Sequence, residues 1–320
     1  MQKYGLLFIM LMAGMMLSMA PAGAEPPPIG KEESKNPSWS GEIETGLAYD
    51  GNVFQEKEGA ESDIIWESSL YLAYRPGQIR WSGLATFNRY LDNSELSYEF
   101  YELGAERPFG EKNHGNLFLQ LSPPAPLDKE DPSFPLITLG SYGFTARFDR
   151  DLSPWWNTGL SFSYDRLNYS DAFDAKDTDV VKIGFPQTFR LKTGWRFLVD
   201  YSFEEGFARG GTVPSGRPDD ISYVAHAAAF QAGYQWAAPV SIRLRYRIRS
   251  KTFNTDLPKE TEPIHSGRSD TSHALLAGLR YQPFPNVVVR ARSQLLWRNS
   301  SDPFVEFNEW IHGLSVSYLF

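Results

Sequence analysis

From Trp39 onward the chain alternates apolar and polar residues with a period of two, and no other feature limits the possible folds as tightly. In Trp39 to Tyr49 the odd positions are Trp39, Gly41, Ile43, Thr45, Leu47 and Tyr49, and the even ones are Ser40, Glu42, Glu44, Gly46 and Ala48. An extended strand turns these two sets to opposite faces. The pattern recurs where Ile64, Trp66, Ser68, Leu70, Leu72 and Tyr74 alternate with Ile65, Glu67, Ser69, Tyr71 and Ala73. It recurs again over Trp156 to Asp165 and Trp195 to Glu204, and in Ile242, Leu244, Tyr246 and Ile248 against Arg243, Arg245, Arg247 and Arg249. The first apolar set begins and ends with an aromatic residue, as a lipid-facing strand between two interfacial girdles requires. A water-soluble β-sandwich also alternates, but it has no need of aromatics at both ends of its apolar faces.

The connections fall into two classes. Tight ones carry turn residues at Pro76-Gly77, Gly110 to Gly115, Arg150 to Pro154, Lys192 to Gly194, Ala237 to Pro239 and Pro283 to Asn286. Longer polar ones lie at about 51–62, 91–96, 122–135, 170–177, 206–221, 254–269 and 299–304. The two classes alternate along the chain, and outer-membrane barrels have short periplasmic turns and longer external loops. The chain is therefore expected to be all-β: a transmembrane, antiparallel, up-and-down barrel of about 14 strands with both termini periplasmic. Two strands read weakly. Asn116 to Leu121 is short before Pro123-Pro124-Ala125-Pro126, and without that hairpin the count becomes about 12. Pro186 interrupts Val180 to Arg190 and predicts a bulge. No loop exceeds about 16 residues, so no plug is expected. Such a barrel lies between filled eight-stranded barrels and open ones of about 16–18 strands.

Composition agrees with alternation. Aromatic residues make up 15% of the chain, yet mean hydropathy is only −0.39. After the N-terminus no apolar run reaches the roughly 18–20 residues of a membrane helix. The N-terminus itself has Lys3, an apolar run from Leu6 to Leu17, and Ala22-Gly23-Ala24, a pattern expected to be cut after Ala24. Residues 1–24 are read as a signal peptide, 25–38, with Pro26-Pro27-Pro28, as a disordered periplasmic tail, and 39–320 as the barrel. There is no Cys, so neither a lipoprotein anchor nor a disulfide framework is available. The net charge of −8 suggests no nucleic-acid partner.

Charge on the inward faces is the main functional clue. Early strands place Glu42, Glu44, Glu67, Glu102 and Glu106 there, and later strands place Arg196, Arg243, Arg245, Arg247, Arg249, Arg280, Arg290, Arg292 and Arg298. Strands 1–4 and 8–13 are expected to lie across the barrel, giving one acidic and one basic wall. Few acids lie on strands 11–13, so local pairing is not expected to neutralise the Arg cluster. Fixed charge in a narrow wet lumen selects ions; the alternative is that Arg and Glu pair across the lumen and satisfy one another.

No signature of an enzyme or cofactor site is present: no GxSxG, HExxH, P-loop or paired-Cys pattern. The best catalytic grouping is Asp270, Ser272 and His273, but neighbours one apart on a strand face opposite ways. Asp50-Gly51-Asn52 could ligate calcium with loop carbonyls, although turn chemistry explains these residues more simply. No enzymatic activity, metal or cofactor is expected.

Leu314, Val316, Tyr318 and Phe320 close the chain on one apolar face. This resembles the C-terminal targeting signal of outer-membrane proteins, which implies that the barrel-assembly machinery reads this strand. The opening Trp39-Ser40-Gly41 and Gly46-Leu47-Ala48-Tyr49-Asp50-Gly51-Asn52-Val53-Phe54 resemble the first strand of porin-like barrels. That group includes barrels of exopolysaccharide operons and the barrel half of surface lipoprotein assembly modifiers. The expectation is an outer-membrane channel for small polar or anionic solutes, in contact with outer-membrane lipids, with the Arg wall as its selectivity element. The alternatives are a component of polysaccharide or surface-protein secretion, and a lumen-mouth enzyme.

Overall fold

A computed structural model describes residues 38–320 except 128–134, 215, 217–218, 238 and 263. The expected signal peptide and nearly all of the expected tail lie outside the described residues. Among the described residues there are fourteen strands: β1 (Ser38–Asp50), β2 (Asp63–Arg75), β3 (Arg80–Tyr90), β4 (Tyr98–Phe109), β5 (Asn113–Pro126), β6 (Thr138–Ser153), β7 (Trp156–Tyr169), β8 (Thr178–Arg190), β9 (Trp195–Ala208), β10 (Tyr223–Ala237), β11 (Val240–Phe253), β12 (Ser269–Phe284), β13 (Val287–Ser300) and β14 (Phe307–Leu319). Each pairs antiparallel with its sequence neighbours, and β1 pairs with β14 to close the barrel. Closure leaves no sheet edge, which a bilayer requires because it cannot hydrogen-bond free backbone groups. The long connections gather at one rim, and the short turns, Ser38 and Phe320 at the other.

Alternation sorts the faces as expected. Trp39, Ile43, Leu47 and Tyr49 are exposed on the outside of β1, while Ala48 and Asp50 are buried inside it. Aromatic girdles edge the apolar belt. Trp39 stacks on Tyr74, and Trp195 packs at a tilt against Tyr234, near the turn rim; Tyr246, His273 and Trp297 cluster near the loop rim.

Phe320 finishes the seam. Its backbone exchanges two hydrogen bonds with Gly41, of 2.7 and 3.0 Å, and its ring covers Gly41, where a Cβ would collide with it. Deleting Phe320 removes both bonds and the ring. A marked fall in the yield of heat-modifiable barrel on gels is the expected result; wild-type yield would argue that the terminal strand assembles without it.

Two local expectations are corrected. β5 is not short: it runs through Pro123 and Pro124 to Pro126, with a register shift between Ser122 and Ala125 that absorbs residues unable to donate to the ladder. The loop after it accordingly begins at 127 rather than 122, and Gly115 belongs to β5 rather than to the preceding turn. Pro186 makes no bulge. It stays in register with Asp200 of β9, while pairing toward β7 lapses only between Gly184 and Gln187, where Pro lacks an N–H.

Candidate functional site

Ile242, Leu244 and Tyr246 of β11 face outward, so Arg243, Arg245, Arg247 and Arg249 face the interior, followed by buried Lys251. The reverse orientation would put four guanidinium groups in lipid, at about 2–4 kcal/mol each near the midplane. By the same alternation Glu42, Glu44, Glu67, Glu102 and Glu106 lie inside, as do Arg196, Arg280, Arg290, Arg292 and Arg298.

The expected separation into two opposed walls needs correction. Closure brings β13 within two strands of β1, and toward the turn rim the inner face of the intervening β14 is small: Gly313, Ser315 and Ser317. Arg290 reaches over that face to Glu42 at 2.7 Å and Glu44 at 3.0 Å, with Ser317 beside it. Arg292 passes over Gly313 and pairs with Glu67 of β2. A Cβ on Gly313 would stand 3.2 Å from the Arg292 Nε, so any larger residue there would press on the passing side chain.

The device recurs on the far side. β10 turns Ala225, Ala227 and Ala229 inward, and Arg249 of β11 crosses them to Glu204 of β9 at 2.6 Å. Tyr223 also donates to Glu204, at 2.6 Å. In both places a long Arg spans a strand of small residues to an acid beyond it: two strands away for Arg249 and Arg290, three for Arg292. Local pairing therefore neutralises Arg249, Arg290 and Arg292, contrary to expectation. Elsewhere Arg80 lies 3.6 Å from Glu106, and Glu102 accepts from Gln120 at 2.8 Å.

Arg245 and Arg247 differ. Among the described residues neither makes an ion pair, and the Arg245 Nε is buried without a hydrogen-bond partner. Lys182, Arg243 and Arg249 share their wall, against Asp200 and Glu204. By strand order β11 stands seven strands from β4, so this basic patch looks across the lumen at the face that carries Glu102.

No loop was expected to be long enough to form a plug. The loops nevertheless fold onto the inner wall. Leu127, Ile137, Phe173, Ala175, Val213 and Ile221 from three loops join inward residues such as Leu139, Leu167, Val180 and Phe253 in one buried core. Val53, Phe54 and Leu96 form a second core with Ala48, Ile65 and Tyr90 on the other side. The loop-rim mouth is therefore narrowed from both sides by apolar packing. Phe54, Leu96, Phe173, Val213 and Ile221, large apolar residues inside polar loops, were the sequence signal for it. Glu306, in the last loop, is held below the usual carboxylate range by the hydrogen bond from Lys57, at 2.9 Å, which ties that loop to the first.

The alternative sites come apart. Asp270 is engaged by Arg268 at 2.6 Å, whereas His273 faces outward against Trp297, so the catalytic grouping is split between faces. Asn52 is consumed by turn chemistry: its side chain donates to the carbonyls of Glu56 and Asn308 and accepts from the Glu56 N–H.

No family profile matches the sequence, and no curated protein matches it. Solved structures do. A bacterial polysaccharide outer membrane secretin matches with a TM-score of 0.52 at 13% identity, over 88% of this chain and 98% of its own. The outer membrane channel DcaP of Acinetobacter baumannii matches with 0.52 at 11%, over 91% and 99%. The CymD monoaromatic hydrocarbon channel matches with 0.52 at 10%, over 89% of both chains. Across its whole described length the chain has the fold of outer-membrane porin-like β-barrels.

Proposed function

We propose that this protein is an outer-membrane channel, without enzymatic activity, that passes small anionic solutes. The observation that carries the reading is the pair Arg245 and Arg247: inward-facing, in a membrane-type barrel, and not matched by an ion-pair partner among the described residues. A wall with an excess of positive charge in a confined lumen raises the local concentration of anions and orients them. The apolar cores at the loop rim restrict solute size. The barrel belongs among outer-membrane lipids, inserted by the assembly machinery through Leu314, Val316, Tyr318 and Phe320.

A second reading, export of a polysaccharide, is supported by one feature. β4 and β5 turn Phe100 and Phe118 inward beside Glu102 and Gln120, a surface suited to sugar rings. One of the structural neighbours is described as a polysaccharide secretin.

Swelling of proteoliposomes separates the two. A small sugar acid should enter fastest, the neutral sugar of equal size next, and the amino sugar slowest. Fastest entry of the amino sugar, or no swelling with any of the three, would overturn the anion-channel reading.

A further inference from the structure

Asp219, Glu262 and His265 meet in a closed space between the loops 209–222 and 254–268. All three are nearly inaccessible: Asp219 is 2% exposed, Glu262 1% and His265 0%. One donor atom from each lies within 4.8 Å of the other two. His265 Nδ1 stands 3.3 Å from Asp219 Oδ1 and 3.2 Å from Glu262 Oε1.

These atoms are close without being bonded to one another. Asp219 Oδ1 and both ring nitrogens of His265 are buried with no hydrogen-bond partner. Buried donor and acceptor atoms that face one another at ion-pair distance without a hydrogen bond are costly in a dry interior, so such a convergence calls for something between them. The two distances from His265 Nδ1, 3.3 and 3.2 Å, fit one occupant. Ligand atoms about 2.0–2.1 Å from a tetrahedral Zn²⁺ stand roughly 3.3–3.4 Å from each other.

Supporting contacts already aim the donors. Lys176 holds Asp219 Oδ2 at 2.8 Å, leaving Oδ1 directed at His265. The backbone N–H groups of His265 and Ser266 donate to Glu262 Oε2 at 2.5 and 3.1 Å, leaving Oε1 directed the same way. The His265 ring lies 4.9 Å from that of Phe253, a member of the larger loop core. Fixed outer contacts of this kind orient the ligands of metal centres. The carboxylates and Lys176 sum to −1 when His265 is neutral, so a divalent cation meets net negative charge.

We propose that Asp219, Glu262 and His265 form a binding site for a divalent cation of the Zn²⁺ type, which fastens two loops, and through Lys176 a third, over the lumen mouth. The site is independent of the channel reading, since it concerns the loops and not the Arg wall. The test uses the purified full chain in detergent, stripped with chelator and titrated with Zn²⁺. Binding of a single ion per chain is expected, together with protection of the exposed Lys259 bond from trypsin. His265→Ala and Glu262→Gln should both lose the ion and the protection while keeping heat-modifiable mobility. Absence of binding to the wild type, or binding unchanged in both folded variants, would overturn the site and leave the cluster a buried ion-pair lock. If one variant fails to fold, the other and the wild-type stoichiometry decide.

Discussion

Replacing Glu204 with Ala is expected to destabilise the barrel by about 3–5 kcal/mol, the range for removing one partner of a buried ion pair. Arg249 and Glu204 are each only 14% exposed in their side chains, and they meet at 2.6 Å over the Ala face of β10. Without Glu204, Arg249 would remain beside Arg247 and Lys251, with Tyr223 losing its acceptor as well. Equilibrium unfolding in detergent reads the loss. The double variant Glu204→Ala with Arg249→Ala should recover a large part of it, since the stranded charge is then gone. Equal destabilisation by the single and double variants would mean that the pair contributes little and that the Ala face is mere packing. Glu67→Ala at the seam should cost less, because Arg292 and Glu67 retain more solvent access, at 33% and 22%.

Changing Arg245 and Arg247 together to Glu is expected to invert the ionic preference. The substitution takes the charge of these two positions from +2 to −2. At about 8 Å and an effective dielectric of about 20, one unit charge acts on a passing ion with about 2 kcal/mol. A tenfold change in permeability corresponds to about 1.4 kcal/mol. The anion-to-cation ratio should therefore fall by at least about tenfold at low salt and converge on wild type near 1 M, where screening acts over about 3 Å. Folding should be little affected, since neither Arg makes an ion pair among the described residues. Arg292 is left in place because it is committed to Glu67. An unchanged ratio in the folded double variant would remove these two residues from selectivity.

A count of about 14 strands, the inward facing of the named Glu and Arg residues and the alternation of turns and loops were legible in the sequence, because a period of two and turn residues act locally. What was not legible depends on closure. That β13 and β1 stand two strands apart follows only from joining β14 to β1, and the acid partners of Arg290 and Arg292 follow from that. The small faces that let these Arg side chains cross are visible in the sequence as Gly313, Ser315 and Ser317 and as the Ala run of β10, but nothing local says which Arg crosses them. The loop cores were missed because loops were judged by length and polarity, although Phe54 and Phe173 are apolar residues that water does not favour. Asp219, Glu262 and His265 lie more than forty residues apart at their extremes and meet only through loop packing, so no spacing in the chain announces them.

The most direct measurement is the zero-current potential of the purified wild-type protein in a planar bilayer under a KCl gradient. A potential of the sign set by chloride, diminishing as ionic strength rises, is the predicted result. A potential set by potassium, or a correctly folded barrel that conducts no ions at all, would contradict the assignment of Arg245 and Arg247 as the selectivity element of an anion channel.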